Sequence, residues 1–216
     1  MKFDFRFIEN LKTELSHPLP GEKAQFRMAP SYRPNLSREE ILKYNPRISG
    51  VMLLLFKSNN ELKIVFTERK KYEGVHSGQM SFPGGKKDKD DDDLLQTALR
   101  ETEEEVGVAA AHIEILGKLS ELYIPPSNFL VYPAVGFAES IAAFTPQQNE
   151  VESIVEIPVD FFLDAKNINL KAEIKLFNNH TVHVPAYIYN EHIIWGATAI
   201  MLSEFTYIAE KAMTEL

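Results

Sequence analysis

The sequence has no cysteine among its 216 residues and no apolar run long enough to cross a bilayer. The missing thiol excludes disulfides, thiolate metal sites and cysteine nucleophiles, and it fits a reducing compartment. The first residues include Asp4 and lack the apolar stretch and small-residue cleavage site of a signal peptide. We therefore expect a cytoplasmic protein that does not enter a membrane.

Basic residues are outnumbered by acidic ones, which gives a formal net charge of -8. Nucleic acids and anionic membranes favour basic surfaces, so neither is an expected partner. An anionic substrate would need a local source of positive charge, which a bound metal ion supplies. Apolar residues make up 44% and charged residues 25% of the chain, as in ordinary globular proteins.

The first 48 residues are interpreted as an N-terminal helical arm. Apolar residues recur at helical spacing over residues 3–16, and the proline-containing stretch up to Pro34 is predicted to be extended. Ser37 followed three residues later by Glu40 is a capping-box pattern that predicts the start of a second helix.

Residues 49–216 are interpreted as the main domain, within a chain that is globular as a whole. A hairpin is predicted from Val51–Phe56 and Leu62–Thr67, and a helix from Leu94–Val106, ended by Gly107. Further strands and a closing helix are predicted at Ile113–Leu116, Leu130–Phe137, Ala172–Leu176, Val182–Ile188, Ile193–Trp195 and Thr198–Met213. This mixture predicts an α/β fold in which helices pack on a sheet.

Three glutamates of the predicted Leu94–Val106 helix share one edge. Glu101, Glu104 and Glu105 are spaced i, i+3 and i+4 and fall within an arc of about 100°. Such close like charges repel one another unless a cation lies among them, and hard oxygen ligands suit Mg²⁺ or Mn²⁺. The alternative is a solvated acidic face, as is usual for charged residues.

The residues around these glutamates favour the metal interpretation. Gly84 and Gly85 lie just upstream, where backbone without side chains can approach a ligand closely. Arg100 stands four residues before Glu104 and can orient its carboxylate. The acidic run 90–93 is interpreted differently, as N-cap and first-turn charge favoured by the helix dipole.

The segment from Gly85 to Val108 resembles the Nudix box, written G-x5-E-x7-R-E-U-x-E-E-x-G-U with U a bulky aliphatic residue. Its second half matches Arg100-Glu101-Thr102-Glu103-Glu104-Glu105-Val106-Gly107-Val108. Thr102 replaces an aliphatic residue, Asp92 stands where the early glutamate belongs, and Gly85 is one residue too far from Arg100. The extra loop residue also occurs in the coenzyme A pyrophosphatase subgroup.

Two segments upstream of the box are similar to an additional motif of that subgroup, L-L-T-x-R-[SA]-x3-R-x3-G-x3-F-P-G-G. The matching residues are 66–69 and 78–85. Lys70 occupies the small-residue position of the motif and Gly74 the second arginine position, and Lys70 or Lys71 could contact a phosphate instead.

The resemblance implies a Nudix-type α/β/α sandwich with a mixed sheet and a hydrolase of nucleoside diphosphate derivatives. By position, Glu101, Glu104 and Glu105 would bind the divalent metal, with a carbonyl ligand from Gly84 or Gly85. Arg100 would position a glutamate. The base that takes a proton from the attacking water would be Glu101 or Glu150.

The subgroup resemblance implies that coenzyme A is split into 4′-phosphopantetheine and adenosine 3′,5′-bisphosphate. Candidate substrate contacts are Arg69, Lys70, Lys71 and His76, with Phe129 as a stacking partner for adenine. The lysines are also interpretable as solvated, His76 as a structural hydrogen-bonding group and Phe129 as a core residue.

Two other functions are left open. Because Gly74 stands where the coenzyme A motif has its second arginine, ADP-ribose and a nucleoside triphosphate stay alternative substrates. A nucleotide-sensing domain that does not cleave its ligand is the other, although binding alone does not require the whole acidic set. The sequence does not fix the oligomeric state, and a homodimer is one option.

Overall fold

A computed structural model describes residues 4–70, 77–176 and 180–214 of the chain. The helices are α1 to α6, and short 3₁₀ turns accompany them. Their bounds are Phe5–Ser16, Glu22–Gln25, Arg38–Lys43, Leu94–Val106, Val159–Leu163 and Gly196–Thr214. In these ranges no helix combines the length and hydropathy needed to span a bilayer.

The strands of the described residues form two sheets. In chain order, β1 to β11 are Arg47–Ser58, Glu61–Arg69, Met80–Ser81, Gly84–Lys86, Glu114–Lys118, Leu122–Ile124, Phe129–Ala138, Val151–Pro158, Ile168–Lys175, Thr181–Tyr189 and His192–Trp195. The eight-stranded sheet has the order β3-β2-β1-β7-β5, with β4 on β1, β6 on β7 and β8 on β2. The other sheet has the order β11-β10-β9.

The centre of the larger sheet is β1, which pairs parallel with β7 and antiparallel with β2. The β1–β2 hairpin closes through Asn59 and Asn60, both with positive φ, between the paired residues Ser58 and Glu61. Two-residue turns of this kind match the twist of the strands, and asparagine tolerates them. The predicted hairpin is confirmed, with longer strands than expected.

Both faces of β1 are buried, so the fold has three layers. Leu53 and Leu55 belong to the core that contains residues of α1 and α6. Met52, Leu54 and Phe56 belong to the core under α4. Alternation along a strand puts these two sets on opposite faces. The predicted α/β fold, a mixed sheet between helices, is therefore confirmed.

The long helix α4 lies against β1 at a position without a side chain. A Cβ at Gly50 would collide with the Leu94 carbonyl oxygen and lie 3.1 Å from the Ala98 nitrogen. Asp93 caps the helix by accepting the Gln96 N–H at 2.8 Å. Gly107, at φ 76°, ends it in the left-handed conformation. The predicted bounds of this helix are confirmed.

The N-terminal segment packs on α6. Phe7, Ile8 and Leu11 of α1 are buried in the same core as α6 residues, and the capping box at Ser37 is confirmed. The extended chain predicted up to Pro34 is wrong in part, since residues 22–28 form α2 and a 3₁₀ turn. The boundary at residue 48 stays a prediction.

A buried carboxylate ties this segment to α6. Glu204 is fully buried, and each of its oxygens accepts two hydrogen bonds. Oε1 accepts from the Gly21 N–H at 3.1 Å and the Ser120 hydroxyl at 2.6 Å. Oε2 accepts from Gln25 Nε2 at 2.9 Å and the Ser120 N–H at 3.1 Å. The carboxylate therefore joins α2 and the β5–β6 connection to α6.

We expect Glu204→Gln to lower the free energy of unfolding by about 2 kcal/mol, because either amide orientation leaves a buried N–H facing another donor. Urea denaturation would measure the loss. Glu210→Gln, an exposed position on the same helix, is the matched control and should leave the midpoint unchanged. Equal midpoints for both variants would contradict a role for these bonds.

Candidate active site

The three glutamates on α4 differ in exposure. Glu105 is 2% exposed, whereas the side chains of Glu101 and Glu104 are 14% and 48% exposed. Glu103, on the same helix, is exposed and turned away from them. The predicted acidic edge therefore runs from a buried carboxylate to a solvent-facing one.

Glu105 lies at the junction of α4, β2 and β4. Its Oε2 accepts the Gly84 N–H at 3.3 Å and the Thr67 hydroxyl at 3.5 Å. Burial raises the pKa of Glu105 to about 7, although Arg69 and the Gly84 N–H act in the opposite direction. The charge of Glu101 adds to the rise. A buried carboxylate in this state takes up a proton or a cation readily.

Glu101 lies against the glycine pair. A Cβ at Gly85 would collide with the Glu101 carboxylate, so only glycine lets β4 come this close. Burial raises the pKa of Glu101 despite the hydrogen bond that it accepts from Arg100 at 2.9 Å. Glycine backbone and two desolvated carboxylates thus share one small volume.

Arg100 joins the carboxylates to a buried aspartate. Its Nη1 donates to Glu101 at 2.9 Å and to Glu104 at 3.3 Å. Its Nε and Nη2 each donate to Asp91 at 3.0 Å, so the guanidinium is held by a bidentate pair. These bonds place Arg100 beside both carboxylates, and its orienting role stays a prediction.

Asp91 is the residue that sequence reasoning missed. It is buried, and it also accepts the Thr97 hydroxyl at 2.8 Å and the Asp88 N–H at 2.9 Å. The hydrogen bonds from Arg100 hold the pKa of Asp91 well below its usual range. The interpretation of run 90–93 as capping charge is confirmed for Asp93 and wrong for Asp91.

A signal for Asp91 was present in the spacing. With five intervening residues after Gly85 the motif position falls on Asp91, whereas with seven intervening residues before Arg100 it falls on Asp92. Asp92 is exposed, and no bond between its carboxylate and Arg100 is seen among the described residues. The extra loop residue therefore lies between Asp91 and Arg100.

Glu150 is brought to the site by backbone bonds at the end of α4. The N–H groups of Thr145 and Gln147 donate to the Val106 and Glu105 carbonyls at 3.0 and 3.2 Å. The Lys70 N–H donates to the Glu150 carbonyl at 3.0 Å. The charge of Glu150 raises the pKa of both Glu101 and Glu105, so it lies near them. Its role as base stays a prediction.

The residues predicted to contact the substrate do not all lie at the glutamate cluster. Arg69 Nη1 lies 4.0 Å from Glu105 Oε1, and Arg69 Nε is buried without a hydrogen-bond partner among the described residues. Lys70 follows at the end of β2. Phe129 packs on the opposite face of the sheet, against the core of α1 and α6, with the Arg47 guanidinium 4.1 Å from its ring centroid. Lys71, Gly74 and His76 lie outside the described residues.

The donor set fits a divalent cation by its chemistry. Within residues 4–70, 77–176 and 180–214, no three acidic or histidine side chains are already grouped closely enough to hold a metal ion, and Arg100 pairs with Glu101 and Glu104. Carboxylate oxygens beside a glycine backbone are nevertheless the ligands that hard dications prefer. Burial raises the pKa of Glu101 and of Glu105 although Arg100 and Arg69 lie close to them, so a bound cation would offset the desolvation of the pair.

We expect the stability of protein treated with EDTA to fall as pH rises from about 4.5 to 7, the ordinary and the folded pKa of Glu105. In this window the folded state holds a proton that the unfolded state has lost, and the loss amounts to about 3 kcal/mol. The raised pKa of Glu101 acts in the same direction. Urea denaturation at several pH values would measure it. Glu105→Gln should flatten the profile, and an equal slope in that variant would contradict the assignment.

The chain is similar to known proteins in both sequence and fold. A family model described as the NUDIX domain matches residues 46–175. The uncharacterized Nudix hydrolase NudL of Yersinia pestis is 36% identical over 142 residues, which cover 66% of this chain and 70% of that protein. The chloroplastic Nudix hydrolase 22 of Arabidopsis thaliana is 31% identical over 166 residues.

The second of these relatives is much longer than this chain. Its match covers 74% of this chain and 55% of the Arabidopsis protein, so this chain spans little more than half of that length. Among solved structures, a MutT/nudix family protein from Enterococcus faecalis has a TM-score of 0.52 and 15% identity, and the match covers 96% of this chain and 76% of that one. At this identity the likeness shows the fold alone.

Proposed function

This chain belongs to the Nudix family, and we propose on that basis that it is a divalent-cation-dependent hydrolase of nucleoside diphosphate derivatives. The preferred substrate is coenzyme A or one of its derivatives, and the cation is Mg²⁺ or Mn²⁺. The observation that carries the proposal is the desolvated pair of Glu101 and Glu105 beside Gly85.

The site residues have different proposed roles, which are cation binding and the positioning of the cation ligands. Glu101, Glu104 and Glu105 hold the cation. A cation bound there supplies the charge that neutralises the diphosphate and makes the attacking water more acidic. Arg100, fixed by Asp91, keeps the carboxylates of Glu101 and Glu104 in place.

The proton of the attacking water goes to a carboxylate on this side of α4. Glu101 and Glu150 are the candidates, because both are carboxylates that lie by the cluster. Arg69 contacts a substrate phosphate, since its partly exposed guanidinium lies 4.0 Å from Glu105 at the same cluster. Lys70, next along the chain, is the second candidate for this contact.

Support for coenzyme A comes from the sequence motif upstream of the box. Residues 66–69 and 78–85 follow the subgroup pattern, with Lys70 and Gly74 as departures. ADP-ribose and nucleoside triphosphates are the rival substrates. A cytoplasmic location and a homodimer stay predictions.

The test is a substrate panel with the purified full chain and Mg²⁺. Coenzyme A, acetyl-coenzyme A, ADP-ribose and ATP would be compared at equal concentration, and products separated by chromatography. We expect adenosine 3′,5′-bisphosphate and 4′-phosphopantetheine from coenzyme A, and no product with EDTA. Faster turnover of ADP-ribose would overturn the substrate assignment, and no turnover of any compound would favour a nucleotide-sensing domain.

A further inference from the structure

Segment 80–85 runs from β3 into β4 and contacts both helical layers of the fold. On the side of α4, the Gly84 N–H donates to Glu105 at 3.3 Å, and Gly85 lies directly against the Glu101 carboxylate. A displacement of the segment would therefore move the glycine backbone relative to both carboxylates. What fixes the segment also fixes this side of the candidate active site.

The other side of segment 80–85 belongs to the core that contains α6. Met80 and Phe82 are buried in that core. Ser81, which lies between them, turns to the opposite face, because successive residues of a strand alternate. Its hydroxyl lies 3.2 Å from the hydroxyl of Thr67. The segment thus connects the core around α6 to the face that carries the glutamates.

The Met80 carbonyl points away from β2, the strand that pairs with β3. The Arg69 N–H donates to the Gln79 carbonyl at 3.1 Å, so these two residues form a hydrogen-bonded pair of the antiparallel ladder. The next pair, Glu68 and Met80, therefore directs its backbone groups outward. Because β3 ends the order of the larger sheet, this carbonyl needs an acceptor contact from another part of the fold.

Thr198, near the beginning of α6, provides that contact. Its hydroxyl donates to the Met80 carbonyl at 2.9 Å across 118 residues of sequence, and its side chain is buried. The helix is itself held firmly, since Leu202 and Phe205 are fully buried in the core. The bond therefore ties segment 80–85 to a fixed element.

We propose that Thr198 is a positioning residue of the candidate active site. Through the Met80 carbonyl, it holds segment 80–85 where the glycine backbone meets Glu105 and Glu101. The inference rests on the proposed hydrolase function, because it concerns the same cation site. Thr198 acts on that site through the backbone of the segment and not by contact with the substrate.

Thr198→Val tests this role, because valine keeps the shape of the side chain and lacks the hydroxyl. With coenzyme A, or the panel compound that is turned over fastest, we expect kcat to fall about tenfold, the lower end of the effect of residues that orient metal ligands. The Mg²⁺ concentration for half-maximal rate should rise. The KM for the nucleotide should change less than about twofold, since its contacts are kept. Thr198→Ser, which keeps the donor, should restore most of the rate.

Thr206→Val is the matched control on the same helix. Thr206 is 3% exposed and Thr198 is 6% exposed, and the Thr206 hydroxyl donates to the Ser203 carbonyl at 3.1 Å within α6. Both valine variants lose a buried hydrogen bond, so both should lower the urea midpoint. Only Thr198→Val should change kcat and the Mg²⁺ dependence, which separates positioning from stability.

The amide resonances of Gly84 and Gly85 in ¹H–¹⁵N spectra give a readout that does not need turnover. They should shift in Thr198→Val and stay in place in Thr206→Val. Wild-type kinetics in Thr198→Val, an equal loss of rate in Thr206→Val or in Thr198→Ser, or unshifted glycine resonances would each overturn the positioning role. Absence of turnover in the wild type would instead contradict the proposed hydrolase, and the glycine resonances would then decide the role of Thr198.

Discussion

Glu105→Gln is expected to lower hydrolysis about a thousandfold, because a cation ligand that contributes several kcal/mol to the transition state is lost. Glutamine keeps the shape of the side chain and one oxygen that accepts the Gly84 N–H. It removes the negative charge on which cation binding depends. The rate at saturating coenzyme A and Mg²⁺, followed by product chromatography, measures the effect.

The same substitution should not destabilise the fold. At pH 8 the wild-type carboxylate is ionised although burial raises its pKa to about 7, so a neutral amide removes a desolvation cost. Added Mg²⁺ should raise the melting temperature of wild type, because a cation that binds the folded state stabilises it. It should not raise the melting temperature of Glu105→Gln, which has lost the charge that binds the cation. Catalysis and stability would then move in opposite directions.

Glu103→Gln is the matched control for this experiment. Glu103 is on the same helix and is exposed, away from Gly84 and Gly85. Its rate should stay within about twofold of wild type, as for surface substitutions generally. Wild-type rates in Glu105→Gln, or an equal loss in Glu103→Gln, would count against the metal site.

Asp91→Asn is expected to reduce both stability and activity. Breaking one partner of a buried ion pair costs about 3 kcal/mol, and Asp91 accepts bonds from Arg100, Thr97 and Asp88. Arg100 then loses its anchor, so Glu101 and Glu104 lose a fixed geometry. Residues that orient metal ligands are typically worth about 10–100-fold, which is the expected fall in rate.

Asp92→Asn is the control that distinguishes Asp91, which binds Arg100, from the adjacent aspartate. Asp92 is the residue that counting back from Arg100 selects, and it is exposed. We expect wild-type unfolding in urea and a wild-type rate for this variant. A large effect at Asp92 with none at Asp91 would show that the anchor was wrongly assigned.

Much of the fold was predictable because the signals are local. The bounds of α4 follow from an aspartate N-cap and a C-terminal glycine, and the capping box at Ser37 is a four-residue pattern. Strands β3 and β4 were missed, since two or three residues are too few to show a period. Strand β8 was also missed, because Glu152 and Glu156 interrupt its apolar residues.

The candidate site was predictable to a smaller extent. Glu101, Glu104 and Glu105 share an edge by helical spacing alone, but their gradation in exposure depends on what β2 and β4 place beside them. Glu150 reaches the cluster through backbone bonds of Thr145 and Gln147, which no side-chain pattern encodes.

The bonds of Glu204 have a consequence for the order in which the chain folds. Residues 5–25 find their partners on α6, through Glu204 and also through Ser203, whose hydroxyl donates to the Ala24 carbonyl at 2.7 Å. During synthesis the first helices therefore leave the ribosome long before the surface that buries them exists. Contacts this distant in sequence slow folding and leave apolar surface exposed meanwhile. The apolar faces of α1 and α2 therefore have no native partner until α6 has emerged.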